Sequence, residues 1–72
     1  MLDNKIGNNI LKLRETNQMN QNDLAAMLHV RRQTISSYEC GRSTPDIYML
    51  IKIARIFGVT LDELVGNVPE KN

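Results

Sequence analysis

Apolar residues recur along this chain at intervals of three and four and nowhere alternate with polar ones over a useful length, so helix is the regular structure the pattern supports. Ile6, Ile10 and Leu13 fall on one helical face, away from Lys5, Asn9 and Lys12. Asn20 is followed three positions later by Asp23, a variant of the reciprocal cap that satisfies free amides at a helix start. Leu24, Ala25 and Leu28 then give a second helix a short apolar face. Val30 sits in a connection, residues 31–39 form a third helix, and Gly41 supplies the left-handed conformation that ends it. Residues 42–45 read as a turn, with Thr44 or Asp46 as the cap of a fourth helix over residues 47–57. That helix is apolar round most of its circumference, with a narrow polar stripe of Tyr48, Lys52 and Arg55, and is expected at the centre of the core. Thr60 and Glu63 fit a capping box ahead of Leu61, Leu64 and Val65, and Gly66 stops this short fifth helix.

The expected body is all-α, five short helices in one domain over residues 1–66, with residues 67–72 a flexible C-terminal tail. A chain of 72 residues buries only about 60% of its unfolded surface, which leaves room for little besides one site. Nothing resembles a signal peptide or a membrane-crossing run, so a cytoplasmic protein is expected. The single cysteine, Cys40, excludes an internal disulfide. His29 and Cys40 are the only soft ligands, whereas zinc takes three or four protein ligands, so no metal and no cofactor are expected. No nucleophile and base converge, which argues against an enzyme. The formal net charge of +1 decides nothing until the charges are located.

The third helix is the anomaly. In RRQTISSYE only Ile35 and Tyr38 look able to hold it against a core, while two arginines, an amide and three hydroxyl residues fill most of the rest. Leu24, Leu28, Val30, Ile35 and Tyr38 are the apolar set needed if two helices meet steeply across a tight turn, with Ala25 at the closest approach.

Four stretches taken together, I-G-N-N-I-L-K-L-R, N-Q-N-D-L-A-A-M-L, R-R-Q-T-I-S-S-Y-E-C-G and L-I-K-I-A-R-I-F-G-V-T-L-D-E-L, resemble the phage repressor and Cro-type helix-turn-helix family. The likeness runs from about Ile6 through Gly66. It implies a compact, lambda-repressor-like DNA-binding domain whose third helix enters the major groove, held on one side only because the other side meets DNA. Arginine can hold the O6 and N7 of guanine, and glutamine the N6 and N7 of adenine, by paired bonds. The resemblance implies that Arg32, Gln33, Ser36 and Ser37 read bases, with Thr34 at the border of that face. It implies phosphate contacts from Gln21 and Arg42, to which Asn20, Arg31 and Thr34 are added as further candidates, and a partly buried pair between Arg14 and Glu39. Gln21 suits its place, since the amides at a helix start favour an anion.

Two positions depart from the family pattern. His29 stands where glycine is frequent after the second helix, and histidine is among the residues better tolerated at positive φ. Arg31 stands where Ser or Thr often caps the third helix, forgoing a cap that typically contributes about 1 kcal/mol, while its guanidinium can reach a phosphate instead. One such domain reads only a few base pairs, so a twofold homodimer on a double-stranded DNA operator is expected, with Val59, Leu64 and Val68 as its seam. The function implied is a sequence-specific transcriptional regulator, a repressor by preference. The competing reading is a protein-interaction module, such as an antitoxin or a subunit of a regulatory complex.

Overall fold

The computed structural model describes residues 5–66, which form five helices: α1 (Lys5–Thr16), α2 (Gln21–Leu28), α3 (Arg32–Cys40), α4 (Ile47–Phe57) and α5 (Leu61–Val65). The 67–72 tail and Val68 lie outside the described residues. Local chemistry sets most of the boundaries. The Asn20 side chain accepts from the Asp23 amide at 2.8 Å and the Asp23 carboxylate accepts from the Asn20 amide at 2.9 Å, so both ends of the box close. Thr60 and Glu63 do the same for α5, and Asp46, rather than Thr44, caps α4 through the Met49 amide. The third helix begins one residue later and ends one residue later than its sequence pattern predicts, because Arg31 takes the extended N-cap conformation and Gly41 the left-handed C-cap.

Ile10, Leu24, Ile35, Ile53 and Leu64 are fully buried, one from each helix. Around them lie Ala25, Leu28, Tyr38, Leu50 and Ala54, and partly buried Leu13, Val30, Phe57 and Val59 close the margin. Helix α1 packs against α3 and α5, α2 against α3 and α4, and α4 against α5. The α5 segment is too short to be stable alone. It is pinned to α1 by the Asn9 side-chain amide, which donates to the Leu64 carbonyl at 2.9 Å. At the end of α5, Gly66 adopts φ +78°, and a Cβ there would lie 3.0 Å from Lys5 Cδ.

The fourth helix is less enclosed than its composition predicts. Leu50, Ile53 and Ala54 are buried and the expected polar stripe of Tyr48, Lys52 and Arg55 is exposed, Tyr48 by 74%, but apolar Ile47 is exposed as well. Among the described residues α4 packs chiefly against α5 and α2, and a domain of this size has too little chain to cover its whole apolar circumference.

Candidate nucleic-acid interface

The geometry of α2 and α3 is set by the turn between them. His29 sits at φ 57°, ψ 42°, and its amide and that of Val30 return to the Ala26 and Ala25 carbonyls. Val30 tucks half-buried against the core, and Arg31 then starts α3 with no side-chain cap. Ile35 and Tyr38, three positions apart, are the buried residues of α3. Burial pushes the Tyr38 phenol above the ordinary tyrosine range, with the Asp46 carboxylate adding to the effect, so this anchor is held neutral.

The face of α3 turned away from that anchor carries Arg32 and Gln33, both exposed, and Ser36 and Ser37, both half-buried. Each serine lies four residues after its partner, so the four side chains form two neighbouring rows. Cys40 is exposed, belongs to the helix, and extends the Arg32 and Ser36 row by another turn. A helix ending at Glu39 excludes Cys40 from this row; the i+4 interval from Ser36 is the sequence signal that includes it.

Arg31 and Arg42 flank the two ends of α3, both exposed and without an ion pair among the described residues. The backbone amides of Arg42 and Ser43 bond back to the Ser37 carbonyl at 2.9 and 3.4 Å, which ties the residue after α3 to the helix itself. Thr34 is half-buried beside the core face. Asn20 uses its side-chain oxygen in the α2 cap, which leaves its amide nitrogen as the group able to donate outward.

Beneath this surface lies a polar network joining α1, α2 and α3. Arg14 grips Glu39 with a fork, Nε to Oε2 at 2.8 Å and Nη2 to Oε1 at 3.1 Å, and donates through Nη1 to the Met19 carbonyl at 2.8 Å. The two side chains keep only 12% and 7% exposure. The bond to Glu39 holds the Arg14 guanidinium above its ordinary pKa, against the opposing effect of burial. Gln21 Nε2 donates to Glu39 Oε1 at 2.9 Å, and Arg32 Nη1 donates to Gln21 Oε1 at 3.2 Å. One charge of each sign is thus neutralised inside, and the acid on α3 is withdrawn from the face that carries the arginines.

One expected residue is misplaced. Leu64 has no exposed surface, because it completes the core between α1 and α4, so it cannot form a seam with a second copy. Val59 is half-buried and lines a shallow pocket of about 200 Å³ together with Asn9, Lys12, Leu13 and Glu63. No helix among the described residues is long and apolar enough to cross a membrane.

Residues 10–64 match the helix-turn-helix family model. The chain is 37% identical over 57 residues to an HTH-type transcriptional regulator of Methanocaldococcus jannaschii, covering 79% of this chain and 86% of that protein. It is also 37% identical over 60 residues to multiprotein-bridging factor 1 of Candida glabrata, covering 83% of this chain but only 40% of the length of that relative. A solved transcriptional regulator from Listeria innocua superposes with a TM-score of 0.83 at 33% identity, over 92% of this chain and 62% of that one. The two-residue anchoring of α3, the tight α2–α3 turn and a match over residues 10–64 converge on one conclusion: this chain belongs to the helix-turn-helix family of transcriptional regulators.

Proposed function

We propose that the chain binds duplex DNA sequence-specifically as a twofold homodimer and represses by occupying its operator. The observation that carries this reading is the division of α3: Ile35 and Tyr38 hold one side, while Arg32, Gln33, Ser36 and Ser37 crowd the other with groups that pair with base edges. Arg31, Arg42, Thr34 and the Asn20 amide border that face as phosphate contacts, where charge and a helix start favour an anion. A single α3 spans only a few base pairs, so two copies reading half-sites about 34 Å apart give the specificity one cannot. Val59 is the described residue best placed to contribute to the seam.

Selection of binders from random duplexes, followed by variants, tests the assignment. Gln33→Ala is expected to relax preference at one or two positions per half-site, costing about 1–3 kcal/mol on the selected duplex and little on random DNA. Arg42→Ala is expected to weaken both and to reduce the salt slope by about one unit. Sedimentation on the selected duplex should give two chains per site.

A second reading, a protein-interaction module, is favoured by the exposure of Ile47 and Tyr48 and by the likeness to multiprotein-bridging factor 1. It gains if the parent protein shows no duplex binding at moderate salt.

A further inference from the structure

Helix α4 has a face that the core does not use. Tyr48, Lys52 and Arg55, at spacings of four and three, stand on the side of the helix opposite the buried Leu50, Ile53 and Ala54. All three are exposed, and exposed Ile47 and half-buried Ile51 border them. The eleven residues of α4 include no acid, and the carboxylate nearest in sequence, Asp46, is turned to the Met49 amide. Neither Lys52 nor Arg55 has an ion pair or hydrogen bond among the described residues. Arg55 in the last turn suits the helix dipole, but Lys52 in the middle of the helix has no such local reason. The chain thus keeps a large ring, two branched apolar side chains and two neighbouring like charges together in water. A surface that is both acidic and apolar relieves all of these at once.

We propose that the Tyr48, Lys52 and Arg55 face of α4 docks an acidic segment of a partner protein. Lys52 and Arg55 lie about 5 Å apart along the helix axis, so two carboxylates one helical turn apart in the partner match them. A large apolar side chain between those carboxylates packs on Tyr48 and Ile51. A phosphate backbone satisfies the two cations but leaves Ile47 and Ile51 in water, whereas tyrosine and arginine are the side chains that most often anchor protein interfaces. The proposal deepens the protein-interaction reading and leaves α3 to duplex DNA, because α4 packs against α2 and α5 and turns this face away from both. One chain then holds DNA with one helix and a partner with another.

The experiment selects binders of the full chain from a library of random short peptides, with the selected duplex present to cover α3. Enriched peptides are expected to be acidic, to carry a large apolar residue, and to shift the backbone amide resonances of Tyr48, Ile51, Lys52 and Arg55. Lys52→Glu should weaken them by about tenfold or more and Tyr48→Ala by about tenfold, while Lys52→Arg, which keeps the charge, binds as the parent does. All of these variants should hold the duplex within about threefold at moderate salt. The substituted side chains are exposed, and thermal melts check that each variant keeps its fold. No enrichment, enrichment without an acidic bias, or acidic peptides indifferent to Lys52→Glu and Tyr48→Ala overturns the proposal. A loss of duplex affinity in Lys52→Glu as large as its loss of peptide affinity assigns the face to DNA and overturns it as well. A parent protein that binds no duplex overturns the reading of α3 alone, and the comparison of Lys52→Glu with Lys52→Arg then decides the α4 face by itself.

Discussion

Helices α2 and α3 lie side by side, are nearly equal in length, and are secured in opposite ways. The start of α2 is closed by its own residues, with Asn20 and Asp23 exchanging side-chain and backbone bonds, and three of its eight residues are buried. The start of α3 has no side-chain cap, and two of its nine residues are buried. What α3 lacks locally it receives from α1 and α2, through the fork from Arg14 to Glu39 and the amide of Gln21. A helix that must expose most of its surface cannot draw much stability from its own apolar face. Its hold has to come from a few strong contacts at its back.

The comparison breaks most readily at Arg14. Arg14→Met removes one partner of a pair whose other member is 7% exposed, and is expected to cost about 3–5 kcal/mol in urea unfolding, a large part of the stability of a small domain. Asn20→Asp or another intact cap should leave α2 as it is, so a loss below about 1 kcal/mol in Arg14→Met would show that α3 does not depend on its neighbours in this way. Caps sharpen the contrast at smaller scale. Asn20→Ala should destabilise by about 1 kcal/mol, whereas Arg31→Ser, which gives α3 the cap it lacks, should stabilise by a similar amount and weaken duplex binding. Thermal melts of the two variants, moving in opposite directions, check both. The smallest effect lies at the Tyr38 anchor. Its pKa is raised in the folded state, so its stabilising contribution is complete below the ordinary tyrosine range near pH ~10 and is lost as pH climbs through the raised value. Tyr38→Phe should unfold with a flatter alkaline limb than the parent protein, while melts near neutral pH stay close.

Legibility in the sequence follows the same division. Caps are local, so Asn20 with Asp23 and Thr60 with Glu63 could be read from spacing alone, as could the apolar residues Ile10, Leu24, Ile35 and Ile53 that meet in the core. The pairing of Arg14 with Glu39 spans 25 positions and came from family resemblance, since no spacing rule joins residues that far apart. Leu64 reads equally well as core or as seam, because burial inside a chain and burial between two chains leave the same apolar signature, and only the fold shows it fully buried. The same ambiguity makes α4 look more enclosed than it is, since apolar Ile47 faces out beside the polar stripe. The link from Glu39 through Gln21 to Arg32 was illegible for a further reason: each bond depends on the orientation of an amide, which only the three helices together determine.

Five fully buried side chains, one from each helix, belong to one hydrophobic core. Withdrawing any one helix uncovers one of these side chains and breaks the single core that joins the five, which favours opening as a unit. Amide protons in α2 and in the five-residue α5 should therefore exchange through nearly the same opening event, despite the difference in their lengths, and unfolding should be all-or-none. For a regulator the consequence is a sharp one: the chain is either entirely competent or entirely open to proteolysis, so its working concentration tracks global stability with no partly folded reserve.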